Sequence, residues 1–265
     1  MYAIAVLLAA ALPCAAAVAP ASAAQHPLAG RLAAGAPSSS VLGAVRHAVQ
    51  STRADSLHWV GYTFNVGHVT GVRADWTEPT VHGKVGSQEF EWLGIGGWNQ
   101  TDNNIIQDGT FTYFPKGGGR NEGVWYERVP QQEAQFPLVA VAPGDHIESS
   151  ITLVNGRTHK WRMTLADPTL GTHWAKTVTF RSDEAFPTFV VEDPNKGKPS
   201  ASGPFFPFPH WRSVTFSHMQ IRVRGKWRAA DKYPSFRVNM VRGGRTLATA
   251  GALNTKSGGF TARQR

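Results

Sequence analysis

Two adjacent carboxylates close a short apolar stretch at residues 189–194, and they are the first candidates in the chain for chemistry. The stretch has the pattern of a β-strand that is stopped by a proline. Side chains alternate between the faces of a strand, so Glu192 shares one face with Val190, while Val191 lies on the other. Glutamate is depleted in strands. A carboxylate here is therefore paired, solvated at a strand end, or available as a general base.

Short apolar stretches separated by Gly, Pro, Asn and Asp clusters predict the strands that would position these carboxylates. No stretch after residue 60 has a helical period. The spacing predicts an all-β fold, an antiparallel two-sheet β-sandwich or jelly roll, in one domain at 57–265. The predicted strands are 69–76, 89–95, 105–114, 124–129, 147–154, 160–165, 174–180, 188–192, 213–216, 220–223, 235–241 and 247–249.

The first 24 residues predict a signal peptide, with an apolar core at 3–12 and small residues for cleavage at 21–23, although no Lys or Arg precedes the core. The only cysteine, Cys14, lies within it, so a mature chain would have no thiol nucleophile and no disulfide. Residues 25–56 are interpreted as a linker or short pro-segment with one possible helix at 41–49. The protein is expected to be secreted, extracellular or periplasmic, and no later apolar run approaches the ~20 residues of a membrane span.

The net charge of +9 raises the question of a nucleic-acid partner. Its densest basic stretch, 222–228, is interrupted by Val223, Gly225 and Trp227, which is typical of a strand with one basic face. No nucleic acid is therefore expected, and association with an anionic surface is as compatible with the charge. The chain is expected to be a monomer.

The common catalytic signatures are absent from the sequence. It contains no G-x-S-x-G, H-E-x-x-H or Walker motif, and its ten histidines never fall at a metal-binding spacing. No metal and no cofactor are expected. What remains is carboxylate chemistry assisted by amides and aromatic side chains.

Seven motifs that occur in order between residues 58 and 260 resemble the eqolisin family of glutamic peptidases. They are HWVGYTF at 58–64, VTGVRADWTEPTV at 69–81, EWLGIGGWNQTDNNIIQDG at 91–109, VWYERVP at 124–130, VAPGDHIESSITL at 141–153, FVVEDP at 189–194 and FPHWRSVTF at 208–216. The resemblance implies a β-sandwich of two bent sheets, concanavalin-like, whose concave face binds an extended protein or peptide substrate. It implies a secreted, acid-acting endopeptidase.

The resemblance also assigns site residues. The family's catalytic glutamine matches Gln107 and its catalytic glutamate matches Glu192. Substrate-binding positions match Trp59, Trp92, Tyr126 and Glu127. By itself, Gln107 is typical of an exposed strand amide, so its role rests on the resemblance alone.

Glutamate and glutamine suit amide hydrolysis in acid. A carboxylate with a pKa near its ordinary 4.3 can take a proton from the attacking water and pass it to the leaving amine. A glutamine N–H can stabilise the developing oxyanion, a role worth ~3–4 kcal/mol. We expect Gln107 and Glu192 to lie close enough to share a water.

The chain departs from the family pattern at several positions near the site. Gly96 stands where an aspartate is common, Arg128 and Val129 replace an aromatic pair, and Asp108 replaces a threonine. Asp108 is expected to point away from Gln107, because neighbours on a strand alternate. These departures bear on catalytic strength and substrate preference.

Two other classes of function stay open from the sequence. A jelly-roll glycoside hydrolase of the retaining kind needs two carboxyls ~5–5.5 Å apart, which Glu127 and Glu192 could supply. A non-catalytic peptide- or glycan-binding β-sandwich would need neither. Gln107 discriminates, because a glycosidase has no evident use for it.

Overall fold

The computed structural model describes residues 51–98, 104–194 and 204–265, without the side chains of 132–134. These residues form 18 strands and one turn of 3-10 helix at Ala230–Lys232. The strands are β1 Ser51–Ser56, β2 Trp59–Phe64, β3 Val69–Thr77, β4 Val81–His82, β5 Gln88–Gly96, β6 Ile105–Tyr113, β7 Asn121–Val129, β8 Gln132–Gln135, β9 His146–Asn155, β10 Lys160–Asp167, β11 Thr172–Thr179, β12 Pro187–Glu192, β13 His210–Trp211, β14 Ser213–Val223, β15 Lys226–Ala229, β16 Ser235–Arg242, β17 Arg245–Ala250 and β18 Phe260–Gln264.

The predicted all-β antiparallel sandwich is confirmed. Fourteen strands follow one another in a curled sheet, in the order β11-β10-β9-β3-β14-β18-β17-β16-β2-β12-β5-β6-β7-β8. One half of this path, β16 to β8, packs on the other half, with contacts of β3 on β5, β9 on β6, and β17 on β2. Strand β15 extends the sheet beside β14, and β13 and β4 form a separate two-stranded sheet.

The ordered sheet begins earlier than the boundary predicted at residue 57. Residues Ser51–Ser56 form β1, which pairs in parallel with β16. The sequence STRADS has no apolar alternation, so only backbone pairing with β16 reveals this strand. The predicted signal peptide at 1–24, the rest of the predicted linker at 25–50 and its possible helix lie outside the described residues.

Two apolar clusters lie on opposite faces of the β16-to-β8 half. The larger one fills the space between the two halves and includes Val191, Phe189 and Leu93. The smaller one covers the other face and is dominated by aromatic rings. We call this second surface the aromatic face; its buried residues are Trp59, Phe90, Trp92, Ile105, Phe111, Trp125, Val190 and Val238.

Within the described residues, no helix has the length and apolar character needed to cross a membrane.

Candidate active site

Register places the two expected catalytic residues on the same face of the sheet. Glu192 of β12 pairs with Phe90 of β5 and Trp59 of β2. Gln107 of β6 pairs with Gly94 of β5 and Glu127 of β7. Directly paired residues share a face, as do residues two apart on one strand. All of these residues therefore belong to the aromatic face.

The Glu192 carboxyl is buried, with one oxygen held and the other without a partner. Trp92 donates its indole Nε1–H to Glu192 Oε2 at 2.8 Å, and the indole of Trp59, the residue paired with Glu192 on β2, also favours the ionised carboxyl. The two indoles pack edge to face, with ring centroids 5.0 Å apart. Glu192 Oε1 has no hydrogen-bond partner among the described residues. Trp92 thus fixes one edge of the carboxyl and leaves Oε1 as the oxygen available for reaction.

Burial raises the pKa of Glu192 to about 8. Loss of water around the carboxylate is the main cause, and the nearby Asp193 charge adds to it, while the indole groups of Trp92 and Trp59 lower the pKa. The ordinary carboxyl pKa expected from the sequence therefore does not hold for Glu192, because burial is not visible in a sequence. In the free protein, Glu192 therefore holds its proton throughout the acid range.

The Gln107 side chain is also held at one end. Its Nε2 donates to Glu127 Oε2 at 2.8 Å, and its buried Oε1 has no partner among the described residues. A carboxamide nitrogen has two N–H donors, so the bond to Glu127 leaves one of them available. Glu127 thereby sets which way the amide points.

Trp92 lies between the two candidates along a diagonal of the sheet. It is two residues from Gly94, which pairs with Gln107, and two residues from Phe90, which pairs with Glu192. A Cβ added to Gly94 would lie 3.1 Å from both the Trp92 ring and Gln107 Cβ. The missing side chain at Gly94 therefore leaves room for Trp92 and Gln107 to lie side by side.

No direct hydrogen bond joins Gln107 to Glu192. Strand β5 separates their strands and their register differs by four residues, since Gln107 lies in line with Thr188. In a flat sheet, this offset would place their Cα atoms about 16 Å apart. The curl of the sheet and the length of both side chains shorten the gap between the functional groups. That they share a water stays a prediction.

Tyr126 does not join this group, although the sequence matched it to a substrate-binding position. It pairs with Asp108, on the face opposite Gln107, and its ring stacks on Trp174 at 5.1 Å in the core between the two halves. The physical reason is strand alternation, since Glu127 faces the site and its neighbour cannot. Trp59, Trp92 and Glu127 do lie on the aromatic face.

The departures from the family pattern now have structural explanations. Gly96 has φ of 106°, and an added Cβ would lie 1.9 Å from the carbonyl oxygen of Asn104, so an aspartate would not fit this backbone. Asp108 does point away from Gln107, as predicted, and accepts a hydrogen bond from Ser149 Oγ at 2.7 Å. Arg128 donates Nη1–H to the carbonyl of Thr179 at 2.8 Å, away from the aromatic face.

Sequence reasoning also passed over residues that border this face. Trp98 and Phe236 stack at 5.1 Å beside its apolar cluster. Phe236 lies on β16, in register with Thr63, which in turn pairs with Thr188. Their positions follow from strand pairing over long sequence distances, which no local pattern signals.

The geometry disfavours a retaining glycosidase. Glu127 lies on β7 and Glu192 on β12, with β5 and β6 between them, which is about 14 Å across the sheet. Each carboxyl has its own partner, Gln107 in one case and Trp92 in the other. The pair therefore lacks the close approach that a retaining mechanism requires.

The sequence of this chain matches the model of one known protein family. Residues 57–258 match the family model described as the Peptidase A4 family. The chain belongs to this family. The matched segment contains every site residue considered above, and membership confirms the predicted family and the predicted class of enzyme, a glutamic endopeptidase.

Solved structures of Peptidase A4 relatives share the fold. Scytalido-glutamic peptidase with a transition state analog inhibitor is 19% identical, with a TM-score of 0.65 over 78% of this chain and 98% of that one. SCP-B, an eqolisin family member in complex with the tripeptide Ala-Ile-His, has the same identity and coverage and a TM-score of 0.64. Aspergilloglutamic peptidase from Aspergillus niger is 19% identical, with a TM-score of 0.55 over 67% of this chain and 99% of that one.

At this identity, the likeness to the solved structures shows the fold alone. None of the curated proteins compared with the chain matches it.

Proposed function

We propose that this Peptidase A4 protein hydrolyses peptide bonds with a water that Glu192 activates and an oxyanion that Gln107 stabilises. One observation carries the proposal. The two side chains lie on one face, each is anchored at one atom by a neighbour, and each has a buried oxygen without a partner. Buried polar atoms in folded proteins are nearly always paired, with water where no protein group is near, so these two oxygens can accept from a bound water or a substrate.

The chemical steps follow from this anchoring. Glu192 Oε1, in its ionised form, takes a proton from water as the water oxygen bonds to the scissile carbonyl carbon. The second Nε2–H of Gln107, the one not given to Glu127, donates to the resulting oxyanion. The C–N bond then breaks as Glu192 passes the same proton to the leaving amine. Glu192 returns to its ionised form. The carboxyl product keeps the hydroxyl of the added water, and the amine product keeps its proton.

The aromatic face suits an extended peptide as substrate. Main-chain amides of an extended segment can meet Gln107, while its side chains contact the partly buried rings that border this face, such as Trp98 and Phe236. The relatives solved with a peptide-based inhibitor and with a tripeptide are consistent with such a substrate.

The raised pKa of Glu192 determines how this chemistry can run in acid. A peptide and a water that donate hydrogen bonds to the carboxylate stabilise its ionised form. Substrate binding therefore lowers the pKa from the value of the free protein, and we propose that acid activity depends on this drop. Export from the cell is proposed from the sequence of residues 1–24 alone.

The experiment is a digestion of a denatured protein at a series of pH values, followed by mass spectrometry of the products. The wild type is compared with Gln107→Ala, which removes the oxyanion donor. We expect internal peptide bonds to be cut by the wild type and not measurably by the variant. Equal cleavage by both would contradict the mechanism, and binding without cleavage by the wild type would favour the non-catalytic binding module.

A further inference from the structure

Arg242, at the end of β16, holds three separate segments of the chain together. Its Nε donates to the carbonyl oxygen of Leu57 at 2.7 Å. Its Nη2 lies 2.5 Å from Asp193 Oδ2 and 3.4 Å from the Asp193 carbonyl oxygen. Its guanidinium group also lies over the ring of Phe205, 3.6 Å from the centroid. Both charged side chains are largely buried, with 16% exposure for Arg242 and 1% for Asp193.

Two of these segments lie next to Glu192 and to Trp59, the residue that pairs with it. Leu57 is two residues before Trp59, and Asp193 directly follows Glu192. Trp59 and Glu192 are register partners, and the Trp59 indole lowers the pKa of the Glu192 carboxyl. A further bond, from the Asp193 N–H to the His58 carbonyl oxygen at 3.0 Å, closes the same corner. Arg242 therefore connects the start of β2 to the end of β12.

We propose that Arg242 is a positioning residue, which fixes the carboxyl of Glu192 against Trp59 by clamping Leu57 and Asp193. This inference rests on the proposed function for its catalytic consequence, and on the contacts alone for its structural part. Arginine suits the task because its planar group presents several donors in fixed directions, whereas lysine offers a single flexible ammonium.

The charges around the clamp are balanced above about pH 7, because burial raises the pKa of Asp193 to about 7 although the Arg242 charge opposes this. Asp193 is the acidic partner of Arg242, and the buried ring of His58 faces the same corner. Burial, with help from the Arg242 charge, lowers the pKa of His58 to about 4, so His58 adds no second cation above that pH. Above about pH 7, removing Arg242 alone would leave the Asp193 carboxylate buried without its counter-ion, which is destabilising.

This balance allows stability to be separated from positioning. Arg242→Gln should lower the melting temperature and also lose the clamp. The double variant Asp193→Asn with Arg242→Gln removes both charges, so it should recover melting temperature relative to Arg242→Gln. It still lacks the bond to Leu57, because glutamine is shorter than arginine, so its turnover should stay low.

Two further variants are compared, Arg242→Lys and a control at a second arginine of β16. Lysine keeps the charge and loses the planar fork. Arg237 is a matched control, because its Nε likewise donates to a backbone carbonyl, that of Ala250, at 2.6 Å. We expect Arg242→Lys and the double variant to lose about ten- to hundredfold in kcat with little change in KM. Arg237→Gln should leave kcat unchanged.

A readout that does not need activity keeps this inference distinct from the proposed function. Indole N–H signals in NMR spectra of tryptophan-labelled protein report the hydrogen bond of Trp92 to Glu192 and the surroundings of the Trp59 indole beside the same carboxyl. Those signals should shift in Arg242→Gln and not in Arg237→Gln. Unchanged indole signals would overturn the positioning role, even if Glu192 proved not to be catalytic. Wild-type kcat in Arg242→Lys, or full recovery of kcat in the double variant, would overturn it as well.

Discussion

At the scale of single residues, each of the two candidate catalytic side chains has one polar atom bonded to a neighbour and another left for a ligand. Trp92 holds one edge of Glu192, and Glu127 holds one N–H of Gln107. The remaining donor and acceptor atoms are fixed in direction before any substrate arrives. Such preorganisation is what makes hydrogen-bonding groups effective in a transition state.

Exchange of the amide and the carboxyl at positions 107 and 127 tests which of them must be the amide. Gln107→Glu places two carboxyls within hydrogen-bond distance, because the direct neighbour of Gln107 is Glu127. One of their pKa values must then rise, so we expect residual activity only at the acid end of the range. The double variant Gln107→Glu with Glu127→Gln restores an amide–carboxyl pair in the reverse order. It should fold like the wild type and remain nearly inactive in a peptide assay, and wild-type activity would show that position 107 need not carry the amide.

The pH dependence of catalysis reports the protonation of Glu192. The acid limb of the pH profile of kcat/KM reports the pKa of the base in the free enzyme, and the acid limb of the kcat profile reports its pKa in the enzyme–substrate complex. Because burial raises the pKa of Glu192 to about 8, the acid limb of kcat/KM should lie well above pH 4.5. The limb of kcat should lie at lower pH, because substrate and water donate to the carboxylate. Coincident limbs near the ordinary carboxyl pKa would contradict the buried environment described for Glu192.

At the scale of elements, strand β5 organises the site. It lies between β12 and β6 and supplies Trp92, which reaches Glu192, and Gly94, which makes room beside Gln107. Its last residue, Gly96, turns the chain in a left-handed conformation and approaches the carbonyl of Asn104 closely. The end of this strand therefore requires glycine, because a side chain there would collide with the neighbouring backbone.

Substitution of Gly96 measures how far the chain has diverged from the family's aspartate. Gly96→Ala should lower the free energy of unfolding by more than the about 1–3 kcal/mol of backbone strain alone. Gly118 is a matched control, because it has a similar positive φ of 84° but no atom within 4 Å of an added Cβ. Gly118→Ala should show only the strain. Equal losses in chemical denaturation would mean that the contact with Asn104 costs nothing.

Much of the fold could be predicted because apolar alternation marks most strands. The central strands β3, β5, β6, β9 and β12 were each predicted to within a few residues. Strand β1 was missed because its sequence is polar, and the stretches predicted at 213–216 and 220–223 proved to be one strand, β14, with a register shift between Ser217 and Gln220. Irregular pairing of this kind has no local signal.

The site could be predicted only in part, for a related reason. Alternation correctly separated Glu192 from Val191 and Gln107 from Asp108. The same rule, applied to Tyr126 beside Glu127, would have excluded it from the site. The partner of Gln107 could not be foreseen, since it depends on the register of β6 against β7.

At the scale of the whole molecule, the core contains buried acids as well as apolar side chains. Glu78, Glu89, Glu91 and Asp108 are essentially inaccessible to solvent. Trp76 Nε1 donates to Glu78 and to Thr110, and Thr110 Oγ1 donates to Glu91, in a chain through the interior. Burial raises the pKa of each of these carboxyls, and the charge of Glu91 adds to the effect on Glu78.

The raised pKa values imply that the fold is most stable in acid. A carboxyl that binds its proton more tightly in the folded state stabilises the fold at low pH, and this advantage is lost as pH rises from the unfolded value towards the folded one. For Glu89, whose pKa rises from 4.5 to about 8, this window runs from about pH 4.5 to 8. As pH rises from 5 to 7, the ionisation of Glu89 in the unfolded state lowers the free energy of unfolding by about 3 kcal/mol, as an order of magnitude.

Thermal unfolding at several pH values checks this expectation. The melting temperature of the wild type should fall between pH 5 and pH 7.5. The melting temperature of Glu89→Gln should fall less over the same range, because the glutamine amide does not ionise. Glu148 is a control, since its side chain is 54% exposed. Glu148→Gln should keep the wild-type slope. A wild-type melting temperature that rises over this range would contradict the buried, protonated cluster.

The most direct test of the account compares kcat and peptide affinity for the wild type, Glu192→Gln and Glu148→Gln. The Glu192→Gln change keeps the size and polarity of the side chain but removes the base. We expect kcat to fall by about 10²–10⁴-fold while peptide binding is retained. Its melting temperature at pH 7 should match or exceed that of the wild type, because a buried carboxyl with a raised pKa opposes folding there. Glu148→Gln should behave as the wild type, and wild-type turnover in purified Glu192→Gln would contradict the role given to Glu192.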